Sequence, residues 1–589
     1  LCIVGKAAEE IIIYIDAVQR KITIERAPLE SVDTHLLAEE LTEMYADDEQ
    51  DKRNIAVVSS GRGAEHARMG VLNFSFWDWR RGAARTKQAG RGGIGTVFRD
   101  KKIKALVLKN NLLLRPWSIT ENKMARDASF YLSSDGTDRA QVDRIAEKYQ
   151  RKRAFALEML NDIIEQQGGI TKEAIQQLSL RINATKGALY HLASMMKGMN
   201  ENQFKHAEEV KADIKGYMKK GGYEHFKKAL TEDDSSVMQQ ISKAPLYGAG
   251  KLSAGEKLQR CRSYRREKGA AYVICNANSP VNGGLAAENP HAVIEGMLIG
   301  GRAVGAAEGL IYISKPGKAV VAQAAAQAKE EGWLGENIQG KDFGFDITVR
   351  LSRGGLQADE TSAMLSSLAG KAPDSKSLYV DYYEKGFGDR PTIVLTAELW
   401  AQIPGAFGEG ADYRPTRRLA VRGAGVKAQV MEVPVDTTLE GVVKKLGVTN
   451  FKAVQMGGPA GGFLPADKLD VKLDYGSLKQ ADAALGAGEV CLLEESDDIV
   501  DKVRERIEYL AGESCGKCTA CREGLFAMKN ILDRICNGNG QVGDIGLLRE
   551  VAEMVGATSL CCFGKNAAIP VISSLRYFKE QYEQRIKKA

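Results

Sequence analysis

The sequence predicts a multidomain α/β protein, and three observations lead there. At 589 residues the chain is too long for a single hydrophobic core. Its middle part alternates buried-strand patterns with long helical patterns. Three of its ten cysteines fall within seven residues of a helical C-terminal region. The expected order is an α+β N-terminal domain over 1–112, a helical bundle or linker over 113–220 and an α/β domain over 221–414. A small β-rich module over 415–478 and a helical domain over 479–589 follow.

The composition, 44% hydrophobic and 27% charged, is that of an ordinary globular protein. The net charge of +6 comes from 82 basic and 76 acidic residues, which makes no case for a nucleic-acid binder. No apolar run approaches the roughly 18–20 residues of a membrane helix. The clustering of the cysteines points to metal ligation in a reducing, cytoplasmic setting rather than to a secreted disulfide framework. The chain opens at Leu1 with no signal-peptide pattern and is read as N-terminally truncated.

In the first 110 residues, apolar strands are expected at Ile11–Ile15, Ile55–Val58 and Ala105–Lys109, with a helix near His35–Tyr45. A glycine- and arginine-rich loop spans Ala89–Gly95. From Arg115 to about Gly198 the pattern is helical: Leu157, Leu160, Ile163 and Ile164 recur at helix spacing, Gly168 and Gly169 stop that helix, and Thr171 caps the next. The α/β part reads as a strand at Ala271–Cys275, a helix at Pro290–Val304, a strand at Gly309–Ile313 and an Ala-rich helix at Ala319–Gly332. Short strands with turn signals at Gly457–Gly462 mark the β-rich module. Helices are expected at Asp497–Ala511, Leu525–Ile535, Asp544–Val555 and Ile572–Lys587.

The chemistry concentrates in Glu513–Gly524, where Cys515, Cys518 and Cys521 form Cys-x2-Cys-x2-Cys. Two residues between thiolates let three sulfurs converge in one loop, with Gly516 and Gly524 expected to permit the bends. The fourth ligand is expected from Ser559–Gly564, as Cys561 with Cys562 its rival. Three close thiolates plus one remote favour a [4Fe-4S] cluster; zinc, which more often takes two pairs, is the competing reading. Lys517 and Arg522 are placed to offset thiolate charge. The six histidines show no ligand spacing, Cys275 reads as a buried small hydrophobe, and no nucleophile–base arrangement is visible.

Residues 221–589 resemble the NADH-binding flavoprotein subunit of complex I-type dehydrogenases and bifurcating hydrogenases. The resemblance rests on the cysteine segments, Val273–Ala277, Pro290–Leu298, Gly457–Pro465 and Leu575–Phe578. It implies an α/β domain that binds FMN and NADH, an SLBB-like β-grasp module and a helical bundle with one [4Fe-4S] cluster. The family's phosphate loop has the pattern Gly-Arg-Gly-Gly-x-Gly-Phe-Pro-x-Gly-x-Lys. Here Leu246–Lys257 keeps Gly248, Gly255 and Lys257 as candidate FMN residues but carries Ala249 and Lys251. The acidic run beside the nicotinamide is replaced by Asn278–Gly284. The family's Gly-Glu-Glu-Thr-Ala survives as Ala358–Ser362, with Glu360 a candidate FMN contact, and its paired asparagines are gone from Thr392–Leu399. Together these departures predict a degenerate FMN/NADH site.

Ala89–Phe98 followed by Lys101–Leu108 resembles the N-terminal domain of aldehyde:ferredoxin oxidoreductases, whose loop lies against a tungsten–pterin cofactor. This implies that Arg91, Gly92 and Gly93 contact the pterin of a partner subunit; a domain that merely joins subunits is the alternative. Residues 150–198 resemble the helical bundle opening the thioredoxin-like partner subunit of the same dehydrogenases, or are simply an amphipathic helix pair.

The expected function is an electron-transfer subunit relaying electrons through one [4Fe-4S] cluster. It would link a tungsten- or molybdenum-pterin oxidoreductase subunit to other iron–sulfur or flavin subunits. The alternatives are an FMN-dependent NADH-oxidising subunit and a scaffold with a non-redox metal site.

Overall fold

The computed structural model describes residues 5–110, 138–193 and 212–587, apart from 20, 28–33, 50, 62–63, 65–69, 79–82, 90–93, 168, 185, 187–188, 190–191, 269, 372, 374 and 377–380. The chain divides into two units, one ending at Lys123 and one beginning at Met124.

The first unit is built on a six-stranded sheet of β1 (Ile11–Asp16), β2 (Lys21–Arg26), β3 (Ile55–Ser59), β4 (Leu72–Asp78), β5 (Ala83–Ala89) and β6 (Ile103–Lys109). The order is β2-β1-β6-β3-β4-β5. β1 pairs in parallel with β6, so the apolar run Ile11–Ile15 is central and both its faces are used. Ile12 packs under Leu37, Ala38 and Leu41 of the helix Thr34–Tyr45, while Ile13 joins Phe98 and Leu106 on the other side. Three strands lay outside the sequence reading: β2, β4 and β5. In β2 the alternating Ile22 and Ile24 are exposed, and in β4 Asn73 and Ser75 are buried while Phe74 and Phe76 are exposed, so apolar pattern and burial do not coincide.

In the second unit, helices Arg139–Lys148, Ala156–Gln167 and Lys172–Arg181 bury Val142, Ile145, Leu160, Ile163, Ile175 and Leu178. Thr171 caps the third as expected, its Oγ1 accepting from the Ala174 amide at 3.0 Å. The bundle is not a free linker. Its core includes Leu351 from the neighbouring sheet. Glu158, 1% exposed, accepts from Arg350 at 2.9 Å and from the Leu351 amide at 3.0 Å.

That sheet consists of β7 (Tyr272–Ala277), β8 (Glu308–Ile313), β9 (Asp346–Leu351) and β10 (Thr392–Thr396), all parallel in the order β10-β7-β8-β9. β7, β8 and β10 are largely buried on both faces, as parallel sheets require, while the edge strand β9 is exposed at Asp346 and Thr348. Pro290–Val304 is almost wholly buried and crosses Ala397–Glu409 so closely that a Cβ on Gly296 or Gly300 would strike Trp400.

The β-rich module is a five-stranded sheet of β11 (Thr416–Gly423), β12 (Val426–Pro434), β13 (Ala453–Met456), β14 (Gly462–Pro465) and β15 (Glu489–Leu493), in the order β12-β11-β15-β13-β14. Its helix Leu439–Leu446 buries Leu439, Val442 and Val443. The expected boundary at 478 falls short, because β15 pairs with β11 and β13 at the centre of the sheet. The C-terminal domain stacks Ile499–Glu513, Thr519–Cys536, Asp544–Thr558 and Ile569–Tyr577. The last expected helix is interrupted: Phe578 leaves helical geometry at φ −134°, and a short helix, Lys579–Glu583, follows.

Candidate iron–sulfur centre and cofactor crevice

Helix Ile499–Glu513 ends at Ser514, and the chain turns through Gly516 at φ +72°, a conformation that suits only glycine here. Cys518 then caps the helix Thr519–Cys536, which carries Cys521 in its first turn. From the other side Cys561 caps the short helix Cys562–Asn566. Neither cap cysteine spends its side chain on a capping bond. Two of the four sulfurs therefore stand at helix N-termini, where the backbone favours a thiolate. Close approach is secured by Gly564, where an added Cβ would sit 2.7 Å from Ser559 and 3.3 Å from Cβ of Cys521. Cys521 and Cys561 are buried, Cys515 and Cys518 half-buried. Burial, with the nearby Cys518, Cys561 and Cys515, pushes the free Cys521 thiol up to about 12.

Cys515, Cys518 and Cys561 are thus near enough to Cys521 to act on its thiol. Among the described residues no three His, Cys, Asp or Glu groups converge as tightly as a single bound ion demands. A cubane spreads its four thiolates over four irons, and the donor chemistry of this set fits one. Cys562, the rival ligand, is exposed, and Glu360 and Lys565 act on its thiol. Gly524 proves to be a packing glycine inside a helix, against Val555, and not a bend. Of the two expected charge-balancing cations, Lys517 donates to the Ser375 carbonyl at 2.9 Å, and Arg522 pairs with Glu523 at 2.7 Å.

The pocket leans on the α/β domain. Glu513 accepts from the Leu356 amide at 2.8 Å, and a Cβ on Gly355, at φ +78°, would collide with its carboxylate. The loop that carries Gly355 closes the C-terminal ends of the parallel strands, where ligands of such sheets bind.

In that crevice the expected FMN residues are largely committed to the fold. Glu360 caps the helix Thr361–Leu368, accepting from Ala363 N at 2.9 Å and Ser362 Oγ at 2.6 Å. Gly255 lets its helix pack on Ser242, where a Cβ would stand 2.5 Å from the Cα. A Cβ added to Gly248 would stand 3.0 Å from Cδ1 of Leu399. At the start of helix Ala254–Lys268, Ser253 and Glu256 form a reciprocal capping box: Ser253 N donates to Glu256 at 2.7 Å and Glu256 N to Ser253 Oγ at 3.1 Å. A carboxylate therefore occupies the helix N-terminus that suits a phosphate. Lys257 has no ion-pair partner among the described residues, and burial lowers its ammonium pKa.

The segment that replaces the acidic run begins a helix, with Ser279 capping Pro280–Glu288. Asn278 donates to the Gly355 carbonyl at 3.0 Å and accepts from Ser352. Asp359 is half-buried; desolvation pushes its carboxyl up to about 6, against bonds from Asn278 and Asn276 and with a smaller push from Glu489 and Glu513. Sequence reasoning missed Asp359 as a titrating group, and it missed Glu513, Ser514 and Ser559 beside the thiols. The last two had a signal, a hydroxyl within two residues of a ligand cysteine in both cysteine segments.

Arg91, Gly92 and Gly93 lie outside the described residues. At the end of their loop, Gly95 makes a close backbone approach, its amide donating to the Gly70 carbonyl at 3.1 Å.

A parallel α/β domain, a β-grasp sheet and a helical domain with a three-plus-one thiol pocket define the class of iron–sulfur flavoprotein subunits. Known families match in three segments: 241–404 match the Nuo51 FMN-binding domain, and 501–585 the NADH-ubiquinone oxidoreductase-F iron-sulfur binding region. Residues 1–110 match the aldehyde ferredoxin oxidoreductase N-terminal domain. The F subunit of the NADH-quinone oxidoreductase of Aquifex aeolicus is 32% identical over 64% of this chain and 92% of its own. The HndC subunit of the NADP-reducing hydrogenase of Solidesulfovibrio fructosivorans is 31% identical over 63% and 80%. An NAD+-reducing [NiFe]-hydrogenase in the air-oxidised state shares the fold, with TM-score 0.59 at 18% identity over 77% of this chain and 95% of that one. The chain belongs to the family of the F subunits of NADH-quinone oxidoreductases, with an aldehyde ferredoxin oxidoreductase N-terminal domain added.

Proposed function

We propose that the chain is an electron-transfer subunit that relays electrons through one [4Fe-4S] cluster held by Cys515, Cys518, Cys521 and Cys561. A tungsten- or molybdenum-pterin oxidoreductase subunit would stand on one side, and other iron–sulfur or flavin subunits on the other. One observation supports the reading: Cys515, Cys518 and Cys561 act on the Cys521 thiol beside the Glu513–Leu356 contact to the crevice loop, while the crevice's own polar groups bond mainly to one another. When bound, the cluster supplies one-electron redox chemistry. The helix N-termini at Cys518 and Cys561 stabilise thiolates, and the burial of Cys521 and Cys561 limits water. The match to the aldehyde ferredoxin oxidoreductase N-terminal domain supports the pterin partner, with Arg91, Gly92 and Gly93 toward its phosphate side. The setting is reducing and cytoplasmic; no helix among the described residues is long and apolar enough to cross a membrane.

A second reading is an FMN-dependent NADH-oxidising subunit of that complex. It is favoured by Lys257, a half-buried cation without an ion-pair partner among the described residues in the family's phosphate-loop position. Anaerobic purification of the native assembly, with subunit identification and analysis of iron, tungsten, molybdenum, zinc and flavin, separates the two. The relay reading expects about four irons per chain and little flavin from this chain. Near-equimolar FMN on the isolated chain establishes the second reading, and zinc without iron removes both.

A further inference from the structure

We propose that the hydroxyls of Ser514 and Ser559 donate hydrogen bonds to the sulfur shell of the cluster and raise its reduction potential. The inference rests on the cluster reading above and deepens it.

Ser514 is fixed where the helix Ile499–Glu513 ends, its amide donating to the Leu510 carbonyl at 3.1 Å. Its Oγ lies 3.3 Å from Sγ of Cys521 and accepts from the Gly516 amide at 3.2 Å. A hydroxyl has one proton and two acceptor positions. With the amide on an acceptor position, the proton remains for sulfur. A ligating cysteine is a thiolate and has no proton to give, so the direction is settled: Ser514 donates.

Ser559 supplies an independent observation. It is 4% exposed, and its Oγ has no hydrogen-bond partner among the described residues. Buried hydroxyls are nearly always bonded, and an orphan calls for an acceptor that the protein alone does not provide. The oxygen stands beside Gly564, where an added Cβ would be 2.7 Å from it and 3.3 Å from Cβ of Cys521. It precedes Cys561 by two residues. The orphan therefore lies near Cys521, and sulfur is the acceptor that would complete it.

The physics fixes the sign. Reduction adds one electron, and its charge spreads over iron and sulfur. Donors aimed at sulfur stabilise that state more than the oxidised one and raise the potential. Both hydroxyls keep their protons in either state, so only the electron moves. Loss of one such bond should change the reduced-to-oxidised ratio at fixed ambient potential by about fivefold, or about 40 mV downward for a one-electron couple.

The test is a redox titration of the full chain, purified anaerobically and followed by electron paramagnetic resonance. Ser514→Ala and Ser559→Ala should each keep wild-type iron and titrate at lower potential, the double variant lower than either. Ser514→Thr should restore the wild-type value. Wild-type potentials in iron-loaded alanine variants overturn the inference and leave the cluster reading intact; a wild-type chain without iron overturns the cluster reading itself. Should a variant lose its iron, the wild type decides. Exchange into D2O must then shift its iron–sulfur stretching bands, and unmoved bands refute the proposal.

Discussion

In the C-terminal pocket three of the four thiols come from seven consecutive residues, and two of the four sit at helix N-termini without capping bonds. In the crevice, the groups that would meet a nucleotide come from segments spread between Leu246 and Leu399, and most already bond to one another. The difference is one of availability. A polar group that holds the fold must be released before it can hold a ligand, and a buried donor or acceptor left bare costs about 1–3 kcal/mol. Glu360 capping a helix and Glu256 closing a capping box are committed in this sense. Cys518 and Cys561, by contrast, make no capping bond that a ligand would have to break.

The largest effect that could break this contrast is loss of the cluster. Cys518→Ser should lower iron from about four per chain to less than one. Cys536→Ser should leave it unchanged, because Cys536 lies at the far end of the same helix, about 27 Å along its axis, among Asp501 and Arg585. Iron analysis on anaerobically prepared protein checks both. Equal iron in the two variants would mean that the thiol pocket is not the binding site.

The two regions also differed in how far the sequence revealed them. The Cys-x2-Cys-x2-Cys spacing is local, so the candidate set could be read directly, and Cys515, Cys518 and Cys561 lie near enough to Cys521 to act on its thiol. Helix Pro290–Val304 was legible for a similar reason, with proline at its start and the left-handed Gly305 as its stop. What stayed hidden depends on partners remote in sequence. Nothing near Glu158 announces Arg350, 192 residues away, and nothing near Gly255 announces Ser242 as its packing neighbour. Strand β15 was missed because its place at the sheet centre is set by β11 and β13. Gly524 was misread because a glycine required by close helix packing looks, in sequence, like a glycine required by a bend.

A smaller effect tests whether the helical bundle belongs to the crevice domain. Glu158→Ala would leave Arg350, 4% exposed and 4.2 Å over the Phe155 ring, without its carboxylate. Breaking a buried pair from one side costs about 3–5 kcal/mol. Urea unfolding of the variant should start earlier, and limited proteolysis should open the bundle first. The thiol pocket lies in a separate core, so iron content should hold. An unchanged unfolding midpoint would show the pair to be dispensable.

The smallest expected effect concerns Asp359, whose carboxyl sits in the crevice with its pKa pushed up to about 6 by desolvation. In the unfolded chain an aspartate titrates near 3.9, so between about pH 4 and 6 the folded state holds a proton that the unfolded state has lost. Stability from this group is therefore full below about pH 4, falls as pH rises to about 6 and stays low above that. Asp359→Asn removes the ionisation. The variant should gain stability relative to wild type on going from pH 4 to pH 7.5, by about 1 kcal/mol once the open side of the crevice is discounted. Unfolding midpoints at the two values measure the change, and it is the change that matters, because the amide has a pH-independent effect of its own. If the difference between the proteins is the same at both pH values, the carboxylate is solvated in the fold. The crevice would then be wetter, and its polar groups freer to meet a ligand, than their mutual bonding implies.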